Sequence, residues 1–452
     1  MFYHTTRNKE VKKTFAEIVC LSNAPCGGLY IPVELPKLKK EDFSGMSYAQ
    51  IAEKIIGIFT EIPQKEIPQI VRKSLVNFAS SAVFETKKLE ENITVAELFY
   101  GPTLSFKDYP MQFLGNIVEY ILSQSRKKLN ILTATSGDTG SAAIHAFAGK
   151  ENVKIVVLHP RGKITEFQRK QMTTCHAKNV LNIAINGNFD DCQAIVKEIT
   201  NSNIAEEKNI STVNSINWGR IMMQIVYYIK LLSDLKTSQN IFVPTGNFGN
   251  IFACYFLKKC GFDGINKMFI ANNANDVISK FYEEGVVRNQ QTIHTVSPAI
   301  DISIPSNFER MLFMESGENA NLIKEIYTSI KQGHAVKVDK NLWKIFQDHF
   351  HAFSVNDALT LQTINEVYNK YNYIIDPHTA VAFAHLMHSV SPKGNNVVIA
   401  TAHPCKFEEA VQKAIGIKVQ IPQSNLGVMQ KEEKLELSSN KEVQEMILDF
   451  FS

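Results

Sequence analysis

The chain has 452 residues, of which 44% are apolar and 21% are charged, and its formal net charge is only +3. A single hydrophobic core rarely exceeds roughly 250–300 residues, so we expect two or three domains. The near-neutral charge argues against nucleic acid as the main partner, and no apolar run reaches the roughly 18 residues that a membrane helix needs.

Residues 1–93 are the least regular part of the chain and are predicted to form a separate N-terminal domain. Helical patterns run from Tyr48 to Phe59 and from Glu66 to Phe78, after turn signals at residues 25–28 (PCGG). The first residues lack a basic stretch followed by an apolar block, so no secretory leader is expected.

From about residue 94, short β-branched runs alternate with longer helical stretches. Strands are predicted at residues 130–135, 154–158, 179–185, 241–244 and 396–401. Helices are predicted at residues 139–149, 166–174, 190–201, 218–235, 249–260 and 378–388. This alternation predicts an α/β fold with parallel sheets covered by helices. We expect a smaller domain at 94–205 and a larger one at 206–452.

The C-terminal segment carries its own helix signal. Residues 439–442 (SNKE) form a capping-box pattern. Val443, Met446, Ile447 and Phe450 then recur on one helical face. The pattern predicts an amphipathic terminal helix.

Two glycine-rich segments follow predicted strands and precede predicted helices: residues 135–141 (TSGDTGS) and 244–250 (PTGNFGN). Ligands bind at the carboxyl ends of strands in an open α/β sheet, and a helix start offers unpaired N–H groups to a carboxylate or phosphate. The competing interpretation of either segment is an ordinary βα turn. Two such segments in one sheet are harder to explain as turns.

Lys107 stands beside the start of an amphipathic helix pattern. A lysine is normally a solvated surface group. At a helix start, however, the positive end of the helix dipole disfavours an ammonium. A lysine kept neutral there could act as a nucleophilic amine. Thr401 lies at the end of a predicted strand. Its hydroxyl could hydrogen-bond a heteroaromatic nitrogen of a ligand, or Thr401 could simply be a β-branched residue of the strand.

Read together, these segments resemble the threonine synthase family of fold-type II pyridoxal-phosphate enzymes. The similar stretches are residues 101–108 (GPTLSFKD), 134–143, 213–218 (VNSINW), 244–249, 306–310 (SNFER), 377–380 (PHTA) and 401–407 (TAHPCKF). Residues 3–7 (YHTTR) resemble the family's opening. The ordered set covers nearly the whole chain and is far more specific than any one motif.

The resemblance implies a tryptophan-synthase-β-like fold: two open, mostly parallel-sheet domains and an additional N-terminal domain. It implies that Lys107 forms a Schiff base with pyridoxal phosphate and that Thr401 hydrogen-bonds the pyridine nitrogen. The cofactor phosphate would be held by Gly246, Asn247, Phe248, Gly249 and Asn250. The substrate carboxylate would be bound by Ser136, Gly137, Asp138 and Thr139.

The implied activity is that of a carbon–oxygen lyase acting on phosphates, which converts O-phospho-L-homoserine and water into L-threonine and phosphate in threonine biosynthesis. The leaving phosphate needs cationic or amide donors. Candidates are Arg161, Lys163, Arg310 and Lys406, each of which could equally be a solvated surface charge. A monomer or homodimer is expected.

The chain departs from the family pattern at a few positions. Asn8 and Gly219 replace a usual Gly and Ala, Tyr109 and Pro110 replace small apolar residues, and Asn250 replaces a common Asp. Proline is tolerated in a first helical turn. None of these changes removes a residue that must do the chemistry.

Metal and thiol chemistry have little support. The seven cysteines form no C-x-x-C pair, which suits reduced thiols in a cytoplasm and provides no zinc framework. The histidines lack the H-E-x-x-H arrangement, so no metal site is expected. Two alternatives stay open: another fold-type II enzyme, such as a cysteine synthase or a serine/threonine dehydratase, and a cofactor-free binding protein for a phosphorylated metabolite.

Overall fold

The computed structural model describes residues 1–21, 24–389, 392–438 and 440–452. Its N-terminal part contains a three-stranded antiparallel sheet of order β2-β1-β3, followed by helices. The elements are β1 (Phe2–Thr5), β2 (Asn8–Thr14), α1 (Phe15–Val19), β3 (Tyr30–Pro32), α2 (Tyr48–Phe59) and α3 (Ile67–Leu75). A 3-10 turn spans Lys40–Phe43.

Helix α2 begins at a capping box. The Ser47 hydroxyl accepts a hydrogen bond from the Gln50 N–H, and the Gln50 side chain accepts one from the Ser47 N–H. Ile51 and Ile55, one turn apart, then point into the core and are fully buried. The bounds of α2 agree with the predicted helix at Tyr48 to Phe59.

The middle of the chain alternates strands with helices, as the periodicity predicts. The elements are β4 (Glu85–Glu90), β5 (Ile93–Glu97), α4 (Asp108–Ser125), β6 (Leu129–Ala134), α5 (Asp138–Phe147), β7 (Val153–Pro160), α6 (Glu166–Thr173), β8 (Val180–Ile185), α7 (Phe189–Thr200), α8 (Asn203–Glu207) and β9 (Ile210–Ser211).

The remaining elements are α9 (Trp218–Asp234), β10 (Gln239–Pro244), α10 (Gly249–Lys259), β11 (Ile265–Asn272), α11 (Val277–Glu284), β12 (Val286–Val287), α12 (Phe308–Glu315), α13 (Ala320–Lys331), β13 (Val336–Lys337), α14 (Lys340–His349), β14 (Phe350–Ser354), α15 (Asp357–Tyr371), α16 (Pro377–His388), β15 (Asn395–Ala400), α17 (Glu408–Ile415), α18 (Leu426–Gln430), β16 (Glu436–Ser438) and α19 (Asn440–Phe451). Further 3-10 turns occur at Pro298–Ile300, Pro404–Phe407 and Gln423–Asn425.

Two sheets organise these elements. The smaller has five parallel strands in the order β16-β8-β7-β6-β9. The larger has six strands in the order β14-β11-β10-β15-β5-β4, parallel except for the β4–β5 hairpin at one edge. A separate two-stranded ribbon joins β12 and β13. Buried parallel strands need both faces covered, and helices cover both sheets here.

The sheets divide the chain differently from the expected boundaries. We expected residues 94–205 to belong to the smaller domain, yet β5 pairs with β15 of the larger sheet. We expected residues 206–452 to belong to the larger domain, yet β9 and β16 are strands of the smaller sheet. The difference arises because strand pairing over long sequence separations leaves no local pattern in the chain.

The C-terminal helix packs on the smaller sheet. Val443, Ile447 and Phe451 are buried in one cluster with Leu132 of β6 and Val156 of β7. Met446 and Phe450, which we placed on the same face, are partly buried at its margin. The expected capping residue Ser439 lies outside the described residues.

Within the described part of the chain, no helix is long and apolar enough to cross a membrane. The same residues contain no group of three or more His, Cys, Asp or Glu side chains placed to hold a metal ion. All seven cysteines are unpaired thiols.

Candidate active site

A cavity of about 970 Å³ opens at the carboxyl ends of β6, β10 and β15, so that both sheets contribute to its walls. This is the edge at which ligands bind in open α/β sheets. The loops that line it include those singled out from the sequence: Lys107, residues 133–136 and 138–139, residues 244–251 and Thr401; Gly137 does not line it. The fold therefore brings together four segments that are up to about 300 residues apart.

Lys107 immediately precedes α4, and its side chain is buried in the cavity wall with 11% exposure. Its Nζ atom lies 3.2 Å from Oδ2 of Asp138. Burial lowers the pKa of the Lys107 amine, Asp138 opposes that effect, and the nearby cations Arg220 and Lys406 add to it. The result is an amine that loses its proton more easily than a surface lysine.

Asp138 stands at the start of α5 and holds a charge network together. Its Oδ1 accepts a hydrogen bond from Gln168 Nε2 at 2.8 Å and lies 3.1 Å from Lys406 Nζ. Burial acts to raise the pKa of this carboxyl, but Lys406 and Lys107 outweigh burial and hold the pKa below its ordinary value. Asp138 is therefore a carboxylate held between two lysines.

This pairing changes the part that Asp138 can take in substrate binding. An ionised side chain repels a substrate carboxylate, so the carboxyl group of Asp138 does not suit the binding role that the resemblance implies for residues 136–139. The start of α5 still offers N–H groups. Thr135 Oγ1 accepts those of Gly137 and Gly140, whereas Ser136, Asp138 and Thr139 line the cavity.

The segment between β10 and α10 is shaped to receive an anion. A Cβ added at Gly246 would lie 2.8 Å from the Cα of Ile300, so only glycine fits there. Phe248 adopts a left-handed conformation, with φ of 63°, directly before the first residue of α10. The chain thus turns sharply and presents its N–H groups at the positive end of the helix.

Asn250 lies in the first turn of α10 and is buried. Its Oδ1 accepts hydrogen bonds from the hydroxyls of Tyr227 and Tyr228, each at 2.7 Å. Its Nδ2 is buried without a hydrogen-bond partner among the described residues. Such a donor, on a residue that lines the cavity, fits an oxygen-rich ligand group.

Thr401 lies at the end of β15 with its side chain in the cavity wall. Its backbone is fixed on both sides: its N–H donates to Thr379 Oγ1 at 3.3 Å, and its carbonyl accepts from the Phe106 N–H at 2.8 Å. An isolated bridge between Ser105 and Ala402 runs beside it. These contacts hold Thr401 and the Lys107 loop in one position relative to each other.

The four expected phosphate-binding cations occupy different environments. Arg310 lies outside the cavity lining, where its N–H groups donate to the carbonyls of Tyr30 and Ile216 and to the Asn307 side chain. Lys406 is fully buried and donates to Thr103 O at 2.6 Å and Gln171 Oε1 at 2.9 Å, besides pairing with Asp138. Both are used within the protein, so the structure does not place them to bind the leaving phosphate.

The other two cations lie at the entrance. Lys163 is exposed and lines the cavity, and it also lines a shallow open depression that contains Arg161. The two depressions share Lys163 and Asn188. Both basic side chains are therefore exposed rather than buried in the cavity wall.

Arg220 was missed by the sequence analysis. It lies in the first turn of α9 and in the cavity wall, 4% exposed, with one Nη1 hydrogen bond to Val213 O at 3.1 Å and a buried Nε without a partner among the described residues. Burial lowers the pKa of the guanidinium to about 10. A cation in the first turn of a helix is disfavoured by the helix dipole. The position of Arg220 in the predicted helix was therefore the sequence signal that could have marked it as a functional residue.

Pyridoxal phosphate fits this arrangement. A buried amine of lowered pKa lies in the same cavity as a glycine-lined helix start for the phosphate and a neutral hydroxyl for the ring nitrogen. The donor set contains no carboxylate at the Thr401 position, so the ring nitrogen need not be protonated.

Comparison with known proteins agrees with this assignment. The family described as "Pyridoxal-phosphate dependent enzyme" matches residues 81–402, "Threonine synthase N terminus" matches residues 2–75, and "Threonine synthase, C-terminal" matches residues 379–447. The threonine synthase of Pseudomonas aeruginosa is 37% identical, covering 98% of this chain and 96% of its own. That of Saccharomyces cerevisiae is 35% identical, covering 91% and 89%.

A crystal structure is similar over the whole chain. Threonine synthase from Brucella melitensis, described as bound to pyridoxal phosphate, superposes with a TM-score of 0.96 at 37% identity, covering 100% of this chain and 99% of the other. The expected fold-type II architecture with an additional N-terminal domain is thereby confirmed.

Proposed function

The chain belongs to the threonine synthase family of pyridoxal-phosphate enzymes, and from that premise we propose how its own residues convert O-phospho-L-homoserine and water into L-threonine and phosphate. Lys107 would supply the amine that attaches the aldehyde group of the cofactor to the chain. The observation that carries this assignment is the Lys107 Nζ, buried 3.2 Å from Asp138 in the cavity that both glycine-containing helix starts also line.

Pyridoxal phosphate, when bound, delocalises the negative charge that develops on the carbon atoms of an amino-acid substrate. Lys107 would be the base that moves protons at Cα and Cβ of the substrate. Its lowered pKa suits this role, since a general base works best when its pKa lies near the working pH.

Asp138 and Lys406 set the charge around Lys107. Asp138 raises the pKa of the Lys107 amine, whereas burial and Lys406 lower it. Asp138 also orients the Nζ atom through the 3.2 Å contact. We assign Asp138 to orientation and charge balance, and its backbone N–H, together with those of Ser136 and Thr139, to the substrate carboxylate.

The cofactor itself is held at two ends. The N–H groups of residues 246–250 and the unpartnered Nδ2 of Asn250 bind its phosphate. The Thr401 hydroxyl hydrogen-bonds its ring nitrogen. Because Thr401 is neutral, this contact does not fix a proton on the ring.

Arg220 takes the phosphate of the substrate. Its guanidinium is buried in the cavity wall with a free Nε–H, and a buried cation is most favourable when it meets an anion. Lys163 and Arg161 at the entrance raise the local concentration of the phosphorylated substrate. Removal of a proton from Cβ would expel the phosphate from Cγ and leave a double bond between the two carbons. Cγ would then gain a proton and become the methyl group, and water would add its hydroxyl at Cβ and give up its other proton to the base.

The rival fold-type II activities lack this support. Neither a cysteine synthase nor a dehydratase accounts for matches to the threonine synthase N- and C-terminal family models at residues 2–75 and 379–447. We further propose a cytoplasmic enzyme without nucleic-acid partners, in line with seven unpaired thiols and the small net charge. We also propose that the protein is a monomer or homodimer.

The test is turnover. Purified protein is supplied with pyridoxal phosphate and O-phospho-L-homoserine, and phosphate and threonine are followed together. Equal release of both supports the proposal. Release of phosphate with a 2-oxo acid in place of threonine would identify a lyase of different product on the same fold. If the protein binds the cofactor but shows no turnover, the proposed substrate is wrong.

A further inference from the structure

Helix α16 begins beside the cavity, and its cap is a buried carboxylate. Asp376 is fully buried and accepts hydrogen bonds from the N–H groups of His378 at 2.9 Å and Thr379 at 3.3 Å. Its Oδ1 also lies 2.8 Å from Nδ1 of His378, and the Thr379 hydroxyl donates to its Oδ2. Helix capping alone uses only the backbone donors, so the two side-chain contacts need another explanation.

His378 reaches from this cap to a loop across the cavity. Its Nε2 lies 3.0 Å from the N–H of Ala299, in the 3-10 turn Pro298–Ile300. A backbone N–H is always a donor, so Nε2 must accept and carries no proton. The proton is therefore on Nδ1 and is donated to Asp376. One neutral tautomer satisfies both contacts, and the edge of Phe407 packs against the ring.

The loop that His378 holds covers the proposed phosphate cradle. Ile300, next to Ala299, is the residue whose Cα would meet a Cβ at Gly246 at 2.8 Å. On its far side the loop is held by Asp301, which accepts a hydrogen bond from Asn273 Nδ2 at 2.7 Å. The hydrogen bond from the Ala299 N–H to His378 thus holds this loop on the side of the cavity.

The second arm of Asp376 reaches the other end of the cofactor site. The Thr379 hydroxyl donates to Asp376 and accepts from the Thr401 N–H at 3.3 Å. The same carboxylate therefore orients a histidine toward the phosphate cradle and a threonine toward the residue assigned to the ring nitrogen.

We propose that Asp376 and His378 are positioning residues: Asp376 fixes the Nδ1-protonated tautomer of His378, and His378 holds the Ala299–Ile300 loop against the cradle for the cofactor phosphate. The proposal rests on the proposed function, since the ligand is pyridoxal phosphate. Neither residue needs to touch the reacting atoms. Their effect is on how tightly the cofactor is bound.

The experiment compares the affinity of variants for pyridoxal phosphate, measured by absorbance titration after removal of the cofactor. His378→Leu deletes the acceptor and should raise Kd about tenfold, the effect of about 1.4 kcal/mol for one lost buried hydrogen bond. His378→Gln retains a side-chain acceptor and should bind within about threefold of the wild type, on the same scale of hydrogen-bond energies. His385→Leu is the matched control, because His385 is on the same helix and equally buried but does not line the cavity.

A second variant tests the tautomer of His378 while retaining the histidine side chain. Asp376→Asn keeps a good helix cap, so the fold should be retained, but it allows the imidazole to carry its proton on Nε2, facing the Ala299 N–H. We expect this variant to lose affinity as His378→Leu does. Wild-type affinity for pyridoxal phosphate in His378→Leu or Asp376→Asn would overturn the proposal. A loss of affinity in His378→Gln or His385→Leu as large as that in His378→Leu would also overturn it. If the wild type itself binds no cofactor, it is the proposed function that fails.

Discussion

The Nζ atom of Lys107 lies 3.2 Å from Oδ2 of Asp138, and both side chains are almost completely buried. Asp138 has a second cation, Lys406, on its other oxygen at 3.1 Å. Removing Lys107 therefore leaves Asp138 paired, and the charge network can persist without it. We therefore expect that the Lys107 amine can be removed by substitution without unfolding the protein.

The first prediction concerns Lys107→Ala. The variant should fold and should lose at least about 10²–10⁴-fold in turnover, because covalent attachment and proton transfer both need the amine. Turnover and the thermal unfolding midpoint are measured together. Lys230→Ala, which removes a half-buried lysine that pairs with Asp234 and does not line the cavity, is the control. Near wild-type turnover by Lys107→Ala would refute the assignment of this residue.

The second prediction concerns the phosphate cradle. Gly246→Val should weaken pyridoxal phosphate binding, since its Cβ would meet the Ile300 backbone at 2.8 Å and overpacking typically costs about 1–3 kcal/mol. Gly427→Val is the matched control, because a Cβ at Gly427 meets no atom within 4 Å. Unchanged cofactor affinity in Gly246→Val, measured by titration, would count against residues 244–250 as the cradle.

The third prediction separates two buried arginines. Arg220→Met should raise KM for the phosphorylated substrate with little loss of stability, because Arg220 has one backbone acceptor and faces the cavity. Arg310→Met should instead lower the free energy of unfolding by several kcal/mol, because it leaves the carbonyls of Tyr30 and Ile216 unpaired.

Steady-state kinetics and urea unfolding of both arginine variants decide the point. The conservative variant Arg220→Lys, which keeps the charge, should recover part of the substrate affinity. A KM effect confined to Arg310→Met would reverse the assignment.

The fourth prediction concerns pH. Burial lowers the pKa of His145, His159 and His403 to about 4 and that of His385 to about 3. In the unfolded chain these groups titrate near 6.5, so between about pH 6.5 and 4 the unfolded state binds more protons than the native state. The free energy of unfolding should therefore fall as pH drops through this window, by up to about 1.4 kcal/mol per pH unit for each group.

Urea unfolding at several pH values between 7 and 4 measures this slope. His159→Leu should reduce it, because one titrating group is removed, whereas His334→Leu, at an exposed histidine, should leave it unchanged. A stability that does not vary from pH 7 to pH 5 would contradict the buried neutral histidines.

Much of the central fold was predictable from the chain. The strand predicted at residues 154–158 is found at Val153–Pro160, and the helix predicted at 249–260 is found at Gly249–Lys259. Buried parallel strands are continuous apolar runs, and a helix after a glycine-rich turn has a clear start. Lys107, the two glycine-rich loops and Thr401 were also predictable, since each lies at a strand or helix end and all line one cavity.

The rest depends on contacts between distant segments. Strand β16 has only three residues and pairs with β8 across some 250 positions, so no local periodicity marks it. The burial of Arg310 depends on Tyr30, a residue of another domain. The pairing of Asp138 with Lys406 likewise joins segments that only the folded chain brings together. Charge type alone could not distinguish these cations from phosphate-binding ones.

The assignment of Lys107 is tested most directly by locating the cofactor on the chain. The protein with pyridoxal phosphate bound is reduced with borohydride, digested, and searched by mass spectrometry for the lysine that carries the pyridoxyl group. We expect the modification at Lys107 and at no other lysine. A modification at another lysine, such as Lys406 or Lys163, or a cofactor that reduction leaves unattached, would contradict it.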